Sequence, residues 1–162
     1  MTGDCRVYEV RDGNRVLRFD GALLAESSSR RSDTDRWVEF QLYRTKSGSY
    51  VLGRIGQTTL FHALDCAIVK RNQLKPSGIE FLTDEHLACE ECDPEDDLEE
   101  IAIEKPRYFA LISESPEAIL EALYKYDHRG ARYLTHVAQR LIETACETDA
   151  RLEKAYRVEY IH

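Results

Sequence analysis

Five cysteines and five histidines carry most of the chemistry open to this chain, and four of those residues stand in two close pairs. His62 and Cys66 are four positions apart; after twenty-two intervening residues come Cys89 and Cys92, with Pro94 just behind. The pattern is aromatic-His-x3-Cys followed by Cys-x2-Cys-x-Pro. Four such ligands in two short pairs suit a tetrahedral zinc ion, because each pair can wrap one edge of the tetrahedron from a single turn. In Cys89-Glu90-Glu91-Cys92 two thiolates can reach one ion from a tight knuckle, and Pro94 stiffens the chain after it. His62 and Cys66 fall on one side of a helical turn or a compact loop. A Cys-x2-Cys alone could equally be a redox pair, but such a pair has no use for a second His/Cys pair at ligand spacing. The spacing therefore predicts structural zinc on His62, Cys66, Cys89 and Cys92. His86, three residues before Cys89, is a competing imidazole; His62 is preferred because it accounts for its pairing with Cys66, leaving His86 as a polar loop residue or an outer-shell donor. Three thiolates and a neutral imidazole leave no open coordination position, which makes the site structural and not hydrolytic.

Tyr50-Val51-Leu52, Phe61-His62-Ala63-Leu64-Asp65-Cys66, the strand-like Ile79-Glu80-Phe81 and Cys89-Glu90-Glu91-Cys92-Asp93-Pro94 together resemble the small Ada-type metal-binding module over roughly residues 50 to 94. That resemblance implies zinc. The branch of the family that repairs methyl phosphotriesters uses four cysteines, one of them the methyl acceptor, so His62 in the first ligand place argues against self-methylating repair. The flanking segments Arg15-Val16-Leu17-Arg18-Phe19-Asp20-Gly21, Leu42-Tyr43-Arg44-Thr45, Gly48-Ser49-Tyr50-Val51-Leu52 and Ser115-Pro116-Glu117-Ala118 resemble the actinobacterial EXLDI proteins. The closing Glu-x-Leu-Asp-Ile of that group is absent, and the resemblance implies sheet organisation only.

The 162 residues, 43% of them apolar, suffice for one domain carrying a small metal lobe at about 58–94. An apolar run of membrane-spanning length is lacking, and Met1-Thr2-Gly3-Asp4-Cys5-Arg6 does not read as a signal peptide, so a cytoplasmic setting is expected. The odd cysteine count fits a reducing compartment. Net charge is −8, unevenly spread: residues 1–75 carry +4, residues 76–115 carry −11 and residues 116–162 carry −1. The acidity concentrates in Glu90, Glu91, Asp93, Glu95, Asp96, Asp97, Glu99 and Glu100. Such a block is either a solvated loop or a surface for a basic partner.

Around this centre the elements alternate legibly. Asp12-Gly13-Asn14 between two β-rich runs predicts a hairpin. Ser27 to Asp35, with no apolar residue, predicts an exposed loop with Arg30 and Arg31 at its tip. Arg36 to Thr45 alternates as a strand, with Val38, Phe40 and Leu42 on one face and Trp37, Glu39, Gln41 and Tyr43 on the other. Arg107 to Ile112 predicts another strand. Ser115 and Pro116 then start a helix expected to close near Gly130. The stripe Leu134, Val137, Ala138, Leu141, Ile142 and Ala145 predicts a second helix, which either continues through Leu152, Ala155 and Tyr156 or gives way to a last strand over 156–161.

Strands ahead of helices predict an α+β fold: an antiparallel sheet, an inserted zinc-knuckle lobe and a C-terminal helical layer. His128 and His136 lack orienting carboxylates, and neither a phosphate-cradling glycine loop nor a nucleophile elbow is present, so no catalytic residue is assigned. The expectation is a non-catalytic, zinc-stabilised binding or regulatory protein acting through a protein partner, met by apolar surface near Trp37 or the C-terminal helices. The alternative is a nucleic-acid-associated zinc protein contacting phosphates through Arg30, Arg31, Lys70, Arg71 and Lys75.

Overall fold

The computed structural model describes residues 5–92 and 100–158. Pro94, most of the acidic block (Asp93, Glu95, Asp96, Asp97 and Glu99) and the end of the proposed last strand lie outside the described residues. The chain is α+β. It begins with β1 (Arg6–Asp12) and β2 (Arg15–Ser28), paired antiparallel with Asp12 opposite Arg15. Gly13 takes a φ of +60° in the first position of the two-residue turn, a place that L side chains adopt only with strain. Next come β3 (Arg36–Thr45) and β4 (Tyr50–Thr58), then β5 (Leu60–His62), α1 (Ala67–Asn72), β6 (Pro76–Gly78), β7 (Leu87–Ala88) and β8 (Glu100–Ile103). The chain continues with β9 (Arg107–Ser113), α2 (Pro116–Leu123), β10 (Lys125–Tyr126), β11 (Arg132–Tyr133), α3 (His136–Cys146) and α4 (Ala150–Arg157).

These elements divide into two compact units. The first comprises Met1–Ser29, Val38–Ile55 and Arg107–His162, and its sheet has the order β1-β2-β3-β4-β9. The alternation read in β3 is realised: Phe40 and Leu42 join Tyr50 and Leu52 in a core with α2, α3 and α4, while Tyr43 packs on the other face with Val10 and Val51. A bulge between Leu23 and Ala25 breaks the β2–β3 register and bends the strand. Asp149 locks the α3–α4 junction from beneath. Its carboxylate, 1% exposed, accepts the Tyr50 hydroxyl at 2.8 Å, the Leu152 N–H at 2.9 Å and the Arg44 guanidinium at 3.0 Å.

Three local expectations are corrected here. Ser27 and Ser28 belong to β2, with the Ser27 hydroxyl donating to the Val137 carbonyl at 2.6 Å, so the exposed loop starts later. Helix α2 stops at Leu123, well before Gly130, because Asp127 folds the next segment into a tight turn by accepting the N–H groups of Arg129 and Ala131. Gly130, at φ +84°, serves that turn between β10 and β11. The last helix is separate from α3, since Asp149 caps a new start by accepting from Leu152.

The second unit comprises Arg30–Trp37 and Gly56–Pro106. Its small sheet has the order β6-β8-β5-β7, with β5 parallel to β7 and antiparallel to β8. Ile79–Phe81 forms a 3-10 turn and not the expected strand; Leu82 N–H closes it on the Ile79 carbonyl.

Candidate metal centre

The small sheet delivers the two predicted pairs to one place. β5 ends on His62, and a tight turn in which the Cys66 N–H donates to the Ala63 carbonyl at 3.0 Å sets Cys66 at the start of α1. The pair therefore sits at a strand-to-helix junction and not on one helical turn. Alongside, β7 hands over to Cys89, whose N–H donates to the Phe61 carbonyl at 2.9 Å, and the chain turns through Glu90 and Glu91 to Cys92. One ligand atom from each of His62, Cys66, Cys89 and Cys92 lies within 4.8 Å of every other. This group could hold a metal ion.

His62 Nδ1 is 3.6 Å from Cys66 Sγ, and the Ala63 N–H donates to Cys92 Sγ at 3.4 Å. His62, Cys66 and Cys89 are buried, with Val69 and Ala102 closing the apolar surround. Burial above all, together with the neighbouring Cys66 and Cys89 sulfurs, pushes the Cys92 thiol up to about 11, against the Ala63 N–H. The Cys92 thiol therefore resists ionisation, and a divalent cation is what would release its proton.

Beyond the four ligands lies a support that spacing did not reveal. His62, 0% exposed, turns its Nε2 to Glu104 Oε2 at 2.9 Å. Glu104, 7% exposed just past β8, is gripped through both oxygens by Arg36 at 3.0 and 2.8 Å. As a carboxylate Glu104 only accepts, so Nε2 carries a proton, and in a neutral imidazole the Nδ1 lone pair then faces the sulfurs. A histidine ligand backed by a carboxylate on its far nitrogen is the usual outer arrangement of metal sites. The one available signal was Glu104 itself, a carboxylate closing the apolar run Ile101-Ala102-Ile103. Arg36 offered none.

His86 does not join the group. It turns back on its own loop, where its Nδ1 accepts the Thr83 N–H at 3.0 Å. The basic residues proposed for phosphate contact are dispersed among local tasks. The Arg30 guanidinium lies over the Trp37 ring at 4.4 Å and pairs with Glu85 at 3.6 Å. Arg31 is exposed in a turn with Thr34, and Lys70 and Arg71 occupy the last turn of α1, where they complement its negative end, ahead of exposed Lys75. Trp37 is half-buried under Arg30, and His128 and His136 are exposed. No helix among the described residues is long and apolar enough to cross a membrane.

Comparison with protein-family models, curated proteins and solved structures finds no match to this chain.

Proposed function

We propose that the chain is a non-catalytic, zinc-stabilised binding protein whose metal lobe presents a surface to a protein partner. One observation carries the zinc reading: a buried His/Cys3 group whose histidine is oriented by Glu104 and Arg36. Zinc–ligand bonds of about 2.3 Å to sulfur and about 2.05 Å to nitrogen, at the tetrahedral angle, put the two ligand atoms about 3.6 Å apart. Cys66 Sγ and His62 Nδ1 stand at that separation. With four protein ligands no position remains for water or substrate, so the ion acts on stability and not on a reaction. The His/Cys pattern is also where the resemblance to the Ada-type module resides.

The partner reading is supported by exposed apolar residues of the same unit. Ile79, Phe81 and Leu87 are exposed, and exposed Glu80, Asp84, Glu85, Glu90 and Glu91 flank them in sequence. Apolar residues among carboxylates suit a protein with an apolar centre and a basic rim, the acids speeding encounter and the apolar residues supplying affinity. Nucleic acid is the weaker reading, because Arg30 is already engaged by Trp37 and Glu85 and the acidic segment would repel phosphate.

The test joins metal analysis to partner capture. Freshly purified chain should contain one zinc, and Cys89→Ser or Cys92→Ser should release it and lower stability. The intact chain should then retain a stoichiometric protein partner from its host after nuclease treatment, and Phe81→Glu should lose it. Iron in place of zinc, or metal-free protein with freely reacting thiols, would overturn the zinc assignment. Recovery of nucleic acid alone, with binding that falls steeply with salt, would overturn the partner assignment.

A further inference from the structure

The face of the five-stranded sheet away from the helices curls on itself. Strands β1 and β9, at opposite ends of the strand order, meet where the Gly13 N–H donates to the Tyr108 carbonyl at 2.8 Å and the Ala110 N–H to Asp12 Oδ1 at 3.3 Å. Inside the curl the rings of Tyr8, Phe19 and Tyr43 pack at centroid distances of 4.8 to 6.1 Å. This filling stops short of one end. There a cleft of about 450 Å³ opens, entirely within the first unit, with Val10, Gln41, Tyr43, Gly53 and Tyr108 among its lining residues. The volume is that of a small-ligand site, in a place where curled sheets commonly hold one.

The polar groups of this cleft are unspent. Arg11 lies over the Tyr108 ring at 5.2 Å and Arg54 over the Phe109 ring at 5.8 Å, and both arginines line the cleft. Among the described residues neither guanidinium has a carboxylate partner; the cleft's own acid, Glu9, is occupied by Arg18 at 2.8 Å. An arginine stacked on a ring keeps its in-plane N–H fork for an anion. The Gln41 amide and the Tyr43 and Tyr108 hydroxyls also lack hydrogen-bond partners among the described residues. Gly53 keeps the floor open: a Cβ there would stand 3.1 Å from Gln41 Oε1 and 3.7 Å from Val10 Cγ1.

The geometry points to a binding site for a small aromatic phosphate of the nucleoside monophosphate class. Two free guanidinium forks fit a phosphate, which takes bidentate donors. The exposed Phe109 ring and the apolar wall of Val10 and Val16 offer a stacking surface for a base. An amide at Gln41 presents a donor beside an acceptor, the complement of a base edge that does the same. The site is independent of the metal centre and of the partner surface.

The test titrates the full-length, metal-loaded chain calorimetrically with AMP, GMP, CMP and UMP separately, then with inorganic phosphate and a short single-stranded oligonucleotide. At least one mononucleotide should bind one-to-one with a Kd on the order of 10–100 µM, a modest affinity for an open cleft. Arg54→Ala should weaken it tenfold or more, Arg11→Ala should do likewise, and Gly53→Val should abolish it by filling the floor. Both arginines are exposed, so their removal leaves the fold intact and keeps the test meaningful even if Gly53→Val unfolds the sheet. Absence of binding by all four mononucleotides overturns the proposal, as does binding indifferent to Arg11 and Arg54. Inorganic phosphate bound as tightly as the nucleotides overturns its aromatic half. An oligonucleotide bound far more tightly through the same residues replaces a free nucleotide with a strand.

Discussion

Replacing Asp149 by alanine should be the most damaging single change in the first unit. The residue is buried, and three donors converge on it: the Tyr50 hydroxyl, the Leu152 N–H and Arg44. Removing the cap of α4 costs about 1 kcal/mol. Stranding the Tyr50 hydroxyl in a site with 0% exposure adds about 1–3 kcal/mol. Arg44 adds less than a fully buried charge would, since its side chain keeps 28% exposure and water can solvate it. The loss is then about 3–4 kcal/mol, a large fraction of the stability of a domain this size. In urea unfolding followed by circular dichroism on the full chain, that corresponds to a midpoint lower by about 2 M at a slope of about 2 kcal/mol/M. Asp149→Asn keeps one oxygen for Tyr50 and Leu152 and gives up the charge facing Arg44, so it should lose only about 1–2 kcal/mol. A variant Asp149→Ala within 1 kcal/mol of the parent, or no worse than Asp149→Asn, would refute the convergent-acceptor argument.

Tyr50 carries a pH signature: burial first, then its hydrogen bond to Asp149, pushes its phenol up to about 12. The folded state favours the neutral phenol, so this contribution is complete below about pH 10 and lost as pH rises toward about 12. The stability gap between the parent and Tyr50→Phe should therefore shrink over that window; a constant gap would contradict the assignment. Thiol labelling should proceed in three stages: exposed Cys5 at once, Cys66, Cys89 and Cys92 on chelation, and buried Cys146, pushed up to about 11 by burial, only on unfolding. Simultaneous labelling of all five would defeat the proposed metal centre. Glu104→Gln should weaken zinc binding about 10- to 100-fold without unfolding the chain, because it leaves one neutral oxygen where two charged ones served both Arg36 and the His62 Nε2. Trp37, the sole tryptophan and the neighbour of Arg36, should change its emission on chelation in the parent. Unaltered affinity in Glu104→Gln would show that Glu104 is a passive neighbour.

What could be read from sequence was whatever is written locally. The period-two alternation of Arg36 to Thr45, the Asp12-Gly13-Asn14 turn and the Ser115-Pro116 helix start are each decided within a few residues, and each is realised. The metal group was legible for the same reason, since each ligand pair lies inside one turn of chain. Glu104 stands 42 residues from His62, and Arg36 lies 68 from Glu104, so only the pairing of β5 with β8 brings the acid to the imidazole. Gly130 misled because a glycine after a helical stripe and a glycine in a hairpin turn look alike; the acceptor at Asp127 decided between them. The cleft at the mouth of the sheet was invisible, because its lining comes from all five strands of the sheet, from Glu9 to Phe109.

The second unit interrupts the first in sequence, and that arrangement bears on the order of folding. Neighbouring strands β4 and β9 are separated along the chain by Gly56–Pro106, yet Arg54 lies over the Phe109 ring at 5.8 Å, so both ends of the interruption must meet. Closing a flexible loop of about 50 residues carries an entropic penalty of about 3.5 kcal/mol from its length dependence alone. A lobe gathered early by a cation at the proposed centre would shorten the free chain between those strands before they search for each other. Metal loading of the proposed centre would then act on a rate as well as on an equilibrium: an ion remote in sequence from the sheet's first strands would hasten the arrival of its last one.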